Sequence, residues 1–325
     1  MMSAPIKHSC SFCLGSLDGP VIAGARGRDG SYDVYICNTC QVGITLPPLS
    51  REERASLYAA GSYRAAAGKR FHWILEGMIH NARLQRKRRI EKFKRGGKLL
   101  DIGCGRGLFL SIMKMNGWEV AGIEVDEETA RQASKTYGLH VIAGDVRRSG
   151  LQGGYFDVIT LIHVLEHVED PRGMIRECYR MLANGGMLVV AVPNLSSLQA
   201  SFGGKDWFHL DPPYHVHHFS EDGLVRLLER ESFGIRKIKR FDLEQNPFGW
   251  LQTMYNWTGI RRNVIFDRMK REELRDGIGP DAYGKDLYIA FALFPLFLPL
   301  SVILALFESL MLRRSGTIEV FAEKR

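Results

Sequence analysis

The chain of 325 residues is 45% hydrophobic and 25% charged, enough apolar material for a packed core and too much for global disorder. Its net charge of +8 at pH 7 points to an anionic partner such as nucleic acid, anionic lipid or acidic glycan. Six cysteines, with no apolar leader behind the first basic residues, predict a reducing cytoplasmic setting in which paired cysteines ligate metal rather than close disulfides.

Residues 1–46 are predicted to form a zinc ribbon. Cys10-x-x-Cys13 and Cys37-x-x-Cys40 flank residues 14–36, which hold glycines and the strand-like run Tyr32–Cys37. Two such knuckles bring four thiolates within tetrahedral reach of a structural Zn2+, which replaces the core so short a segment cannot build. A redox dithiol pair is the other reading of the same spacing. Residues 47–95 form a helical linker after Pro47-Pro48, ending in the basic run Arg83–Arg95. That run reads as a solvated helical face, with membrane footing or RNA binding as alternatives.

Residues 96–245 alternate short apolar runs with helical stretches. Lys98–Gly103, Trp118–Glu124, Leu139–Gly144, Phe156–Ile162 and Gly186–Pro193 are each bounded by Gly, Asp or Pro. Helices are predicted over Glu127–Tyr137 and Pro171–Leu182, the second with Asp170 as N-cap and proline in its first turn. Near-continuous apolar strands between helices indicate a parallel sheet covered on both faces. A helix over Ser220–Glu231, a strand over Ile235–Asp242 and a last strand within residues 315–325 complete this α/β domain.

The first strand runs into Asp101-Ile102-Gly103-Cys104-Gly105-Arg106-Gly107. Glycines let a ligand approach the backbone, and the following helix start offers free N–H groups. The spacing G-x-G-x-G departs from the dinucleotide fingerprint G-x-G-x-x-G, and Asp101 would repel a pyrophosphate while attracting a cationic amino-acid ligand. Glu124 ends the next strand, where a carboxylate accepts ribose hydroxyls, and Asp145 follows the third, suited to an adenine amine.

These residues resemble the class I S-adenosylmethionine-dependent methyltransferase family over roughly residues 96–243 and the last ten. "LDIGCGRGLFL", "VAGIEVD", "GDV", "FDVITLIHVLEHVEDP" and "LANGGMLVVAVPN" match its motifs in order. The resemblance implies S-adenosyl-L-methionine as methyl donor, held by Asp101, Gly103, Gly105, Glu124 and Asp145. It further implies a Rossmann-like sheet of seven strands whose last hairpin is antiparallel. His163 and the Glu166-His167 pair would line the donor and acceptor pocket.

His163-Val-Leu-Glu166-His167 also spells the inverted zinc-protease motif H-x-x-E-H, which needs both histidines on one helix and a distant third ligand. Its place after the fourth strand favours pocket lining. Asp211-Pro212-Pro213-Tyr214 spells the amino-methyltransferase motif D-P-P-Y, but it follows the fifth strand rather than the fourth, which excludes that role. The fuller string from Trp207 to Ser220 resembles a loop of bacterial small-molecule and glycan methyltransferases, W-x-x-x-D-P-P-x-H-x-x-H-F-[ST]. Methyl transfer to a hydroxyl benefits from a base, with His215 the first candidate and His167 the second. His218 is equally suited to bracing the helix start capped by Ser220.

Residues 246–314 form a hydrophobic insert. Between Leu287 and Leu312 the only charge is Glu308, and Arg313-Arg314 follow at once. Such a length would span a bilayer core of ~30 Å, but the flanking strands are expected in one sheet, so both ends lie on one side. Pro295 and Pro299 would break or kink a helix. The expectation is a helical hairpin or bent helix entering one leaflet, its footing reinforced by Arg261, Arg262, Arg268, Lys270 and Arg271. A buried helix pair or a dimer interface is the other reading.

Together these features predict an O-methyltransferase peripheral on the inner face of the cell membrane. Its acceptor would be a lipid-linked sugar, a polysaccharide precursor or a prenylated lipid. A zinc-ribbon RNA methyltransferase is the second reading, and a non-catalytic membrane-bound scaffold the third.

Overall fold

The computed structural model describes residues 9–269 and 284–325, apart from 11, 14, 18, 28, 29, 51 and 54–72. Two sheets organise the chain. The larger is built from β4 (Lys98–Ile102), β5 (Glu119–Glu124), β6 (His140–Ala143), β7 (Phe156–Ile162), β8 (Leu182–Pro193), β10 (Phe233–Lys239) and β11 (Thr317–Lys324). Its order is β10-β11-β8-β7-β4-β5-β6. Strands β8 to β6 run parallel, and β11 pairs antiparallel with both β8 and β10. The expected seven-stranded sheet with an antiparallel last hairpin is therefore present.

Alternation along the strands divides the core between the two faces. Leu99, Val158, Val189 and Phe321 point to one face, where α1 (Trp73–Ile90) and α2 (Leu108–Met115) supply Ile90, Leu110 and Met113. Leu100, Ile159, Leu161 and Val190 point to the other. There α4 (Pro171–Met181) supplies Ile175, Cys178 and Met181, and α6 (Glu221–Arg230) supplies Leu224 and Leu228. Fully burying each such leucine or isoleucine stabilises the fold by about 1.5–3 kcal/mol before entropy is counted. On the remaining crossover, α3 (Glu127–Tyr137) is capped by Asp126, which accepts from the Thr129 N–H, and closed by left-handed Gly138. Asp170 and Ser220 cap α4 and α6 as their sequence positions foretell.

The smaller sheet joins β1 (Ile22–Arg26), β2 (Ser31–Ile36) and β3 (Val42–Leu46) to β9 (His217–Phe219). Its fourth strand thus comes from the histidine-rich loop of the larger domain, with Gly43 opposite His218. The cysteine-paired segment is consequently stitched to that loop through backbone hydrogen bonds.

Three expectations are corrected. The basic run is not a solvated face over its whole length: Arg86 and Arg89 both pair with Glu319 of β11 at 3.1 and 2.7 Å, and Arg83 pairs with Glu244. The strand expected to reach Asp242 stops at Lys239, because Asp242 turns the chain by accepting from the Glu244 and Gln245 N–H groups. That turn opens α7 (Gln245–Trp257).

The third correction concerns the insert. After α7 and α8 (Val264–Met269), the apolar run forms one unbroken helix, α9 (Gly284–Leu310), with Pro295 and Pro299 inside it. The prolines lie four apart, so the two missing N–H donors fall on the same face and leave the rest of the ladder intact. Ala290, Ser301, Ala305, Glu308 and Ser309 are buried along one stripe, and Tyr255 of α7 donates to the Ala290 carbonyl at 2.7 Å. The opposite face exposes Tyr288, Phe291, Leu296, Ile303 and Leu310, each above 60%, which excludes a pair of helices buried in the core. The one charge between Leu287 and Leu312, Glu308, faces inward and accepts from the Gln199 and Gly316 N–H groups at 3.1 and 2.9 Å. Lys270 and Arg271 lie outside the described residues.

Candidate active site

A cleft of about 1880 Å³ opens at the carboxyl ends of the parallel strands, at β4, from which the chain runs out to β5 and β6 on one side before crossing over to β7 on the other. This is where open α/β sheets place their ligands. The cleft has two unlike walls.

One wall is the glycine loop and its acids. Gly103, Gly105 and Gly107 have φ of 74°, 53° and 76°, a left-handed run that disfavours any residue with a Cβ. A Cβ on Gly103 would also sit 2.4 Å from Val164 Cγ2, whereas one on Gly105 would meet nothing within 4 Å. The loop is tied down by two N–H bonds to the Ile123 carbonyl, from Gly103 at 2.7 Å and Cys104 at 3.1 Å. Gly105 N–H donates to Glu124 Oε2 at 3.0 Å and Asp126 N–H to Oε1 at 3.2 Å. This fixes the buried carboxylate while leaving lone-pair capacity on each oxygen.

Asp101, also buried, accepts from Thr160 Oγ1 at 2.5 Å. Burial lifts its carboxyl to about 6, against the Thr160 bond and the charges of Arg86 and Arg83. A buried acid of this kind gains most from a cationic ligand. Asp145 is half exposed and accepts from the Arg147 guanidinium at 2.8 Å. Left-handed glycines over two buried acids fit a cationic adenosyl ligand.

The other wall is made of histidines. His215 Nδ1 donates to the His209 carbonyl at 2.8 Å, and His167 Nδ1 to the Tyr214 carbonyl at 2.9 Å. Each bond fixes the tautomer, because a carbonyl accepts only from N–H. Burial holds His167 down at about 4 and lowers His215, so both are neutral at pH 7. Burial works against the charge of Glu166 too, but its hydrogen bond with His163 prevails and holds the carboxyl low, at about 2. One ligand atom from each of Glu166, His167 and His215 lies within 4.8 Å of the others, a set able to hold a divalent cation.

The protease-like motif is not realised. Glu166 and His167 sit in a single 3-10 turn (Leu165–His167), while His163 lies before it with φ 54°. His215, not His163, completes the cluster.

Behind the histidines stands the cysteine-paired segment. Cys10 Sγ lies 3.5 Å from Cys40 Sγ and Cys13 Sγ 3.4 Å from Cys37 Sγ, and all four are within 4.8 Å of one another. Tetrahedral Zn–S bonds of about 2.3 Å require sulfurs about 3.8 Å apart, so this donor set fits zinc. The close pairs also run between the two knuckles rather than within either C-x-x-C, unlike a redox motif.

Sequence reasoning passed over Thr45 and His209 here, and gave Arg262 to the membrane footing rather than to the cleft. Thr45 of β3 donates from Oγ1 to the His215 carbonyl at 2.7 Å and accepts from His218 Nε2 at 2.8 Å, and its N–H reaches the Val216 carbonyl. His209 is buried against α7, with Nε2 lacking a hydrogen-bond partner among the described residues. Arg262 lines the cleft from the loop between α7 and α8. Each acts through residues far away in the chain, and no local motif marks it.

A family model described as "Methyltransferase domain" matches residues 74–237. The chain is similar to the ubiquinone biosynthesis O-methyltransferase of Psychrobacter cryohalolentis, 30% identical over 138 residues, covering 38% of this chain and 52% of that one. Against the enzyme of the same name from Escherichia fergusonii it is 26% identical over 189 residues, covering 54% and 70%. The chain thus spans about half the length of the first curated relatives it matches. The [4+2]-cyclase SpnF shares the fold, with a TM-score of 0.51 at 18% identity over 86% of this chain and 98% of that one.

Proposed function

Because the chain belongs to the class I S-adenosylmethionine-dependent methyltransferase family, we propose that it methylates a hydroxyl of a lipid-linked sugar, polysaccharide precursor or prenylated lipid at the cytoplasmic membrane face. The observation that carries this reading is the position of α9. The same helix that exposes an apolar face also contributes Leu298 and Ser301 to the cleft that holds Asp101 and His215.

When bound, the donor supplies a methyl carbon carried on a cationic sulfur. Asp101 and Glu124 hold its charged and ribose ends, and the glycine loop admits it to backbone distance. On the facing wall His215, with Nδ1 committed to a carbonyl, presents Nε2 as the proton acceptor. His215 Nε2 would take the proton of the acceptor hydroxyl, while the bound donor would supply the methyl group and keep the electrons of the broken S–C bond as a neutral thioether; His167 stands beside as the second candidate base. Alignment of the two reactants supplies most of the rate.

Membrane contact is interfacial in this reading. Helix α9 is pinned along its length from Ala290 to Ser309, so only its outer face can enter lipid, with Arg313 and Arg314 at the headgroups. The four thiolates of Cys10, Cys13, Cys37 and Cys40 take a structural Zn2+. The RNA alternative is weakened because Arg83, Arg86 and Arg89 are engaged by Glu244 and Glu319.

The test is transfer of isotopically labelled methyl from S-adenosylmethionine into a source-cell extract, fractionated into lipid, glycan, RNA and protein. Label is expected in lipid or lipid-linked glycan. Label confined to RNA would sink the proposal, and donor binding without label in any fraction would leave the scaffold reading standing.

A further inference from the structure

Arg262 stands out among the cleft residues as a half-buried cation that, among the described residues, has no matching anion. Its Nη1 donates to the Arg26 carbonyl, while Nη2 is buried with no hydrogen-bond partner among the described residues. Among the described residues, no carboxylate forms an ion pair with it. Burial works against its charge, Asp211 and Asp206 offset this only in part, and Arg26 adds repulsion. A desolvated guanidinium next to a second one is costly unless an anion completes it.

The position is built rather than incidental. On one side Arg261 N–H donates to Asp286 Oδ2 of α9 at 3.1 Å, and on the other Asn263 N–H donates to Asn256 Oδ1 of α7 at 2.9 Å. Arg26 ends β1, and the next residue, Gly27, comes so close to the proline loop that a Cβ there would lie 2.8 Å from the Pro212 carbonyl. Three distant segments (the cysteine-paired sheet, the proline loop and the insert) therefore meet at this point of the cleft wall. Arg26, Arg261 and Arg262 line the same cleft as His215.

We propose that Arg262, with Arg26, binds a phosphate-class oxyanion of the acceptor and so orients its hydroxyl toward His215. This rests on the reading of the cleft as an acceptor site. The planar guanidinium offers a fork of donors that a phosphoryl group fills in bidentate fashion. The same chemistry is carried by a polyprenyl phosphate or by a soluble sugar phosphate.

The experiment uses the full chain loaded with S-adenosylhomocysteine, whose own binding is measured first in every variant. Wild-type failure at that step would overturn the donor-site reading, separately from this proposal. Inorganic pyrophosphate is then titrated calorimetrically into wild type, Arg262→Gln, Arg262→Lys, Arg26→Gln and the surface control Arg131→Gln. Affinity is expected to fall tenfold or more in Arg262→Gln, less in Arg262→Lys, and not at all in Arg131→Gln.

If Arg262→Gln does not fold, as judged by lost S-adenosylhomocysteine binding, Arg26→Gln carries the same expectation. Phosphatidylcholine vesicles with and without polyprenyl phosphate, and glucose 1-phosphate, then identify the source by which of them shows an Arg262-dependent signal. Pyrophosphate binding unchanged in both glutamine variants, or lost equally in Arg131→Gln, would overturn the proposal.

Discussion

The two walls of the cleft are built on opposite principles. The donor wall is local: Asp101, Gly103 and Gly105 are neighbours in one strand–loop unit, and Glu124 ends the adjoining strand. Its charge is acidic, and burial lifts Asp101 toward neutrality. The acceptor wall is assembled from the Glu166 turn, the loop before β9, the edge of β3 and the insert. Its working groups are imidazoles that burial strips of charge. The contrast teaches that a donor common to a whole family can be held by one short motif. In the proposed reading, an acceptor particular to one enzyme is met by segments recruited from across the chain.

The sharpest way to separate the walls is to break each alone. Replacing His215 by alanine removes the proposed proton acceptor, and kcat should fall by about 10²–10⁴-fold while S-adenosylhomocysteine affinity, read by calorimetry, stays put. A kcat within twofold of wild type would pass the base role to His167. Gly103→Val should do the converse. The left-handed φ and the overlap with Val164 together cost about 2–4 kcal/mol, enough to weaken donor binding by some thirtyfold or more. Unaltered donor affinity would show that the loop tolerates a Cβ and that the glycine reading is mistaken.

The smallest and most gradual effect is that of pH on stability, and here the walls oppose each other. In the unfolded chain the histidines titrate near 6.5, whereas in the fold His167 resists protonation until about 4 and His209 until about 3. The unfolded chain therefore binds more protons in that window, and the histidine wall loses stability as pH falls from 6.5 through 4. Asp101 has the opposite sign: raised from 3.8 to about 6, it contributes stability that is lost as pH rises through that range. With four histidines shifted down against two acids shifted up, Asp101 and Glu308, the urea midpoint should decline on acidification below pH 6.5, and Asp101→Asn should steepen that decline. A midpoint that holds steady to pH 5 would mean that the histidine layer is solvated.

What the sequence could carry was whatever depends on neighbours. Strand and helix order follow from apolar periodicity, caps at Asp170 and Ser220 from their own turns, and the glycine loop from three residues whose backbone only glycine adopts readily. The four cysteines were legible because their spacing is itself the signal. Tertiary structure decided the rest, because those features depend on pairings that no local window contains. Glu319 draws Arg86 and Arg89 onto the sheet across more than two hundred residues. The inward Glu308 keeps α9 tied to the domain, and lateral packing carries that helix through two prolines. Thr45 reaches the His215 carbonyl only because β9 adds itself to the cysteine-paired sheet. Burial, which no single residue possesses alone, then strips the charge from His167, His209, His215 and His218.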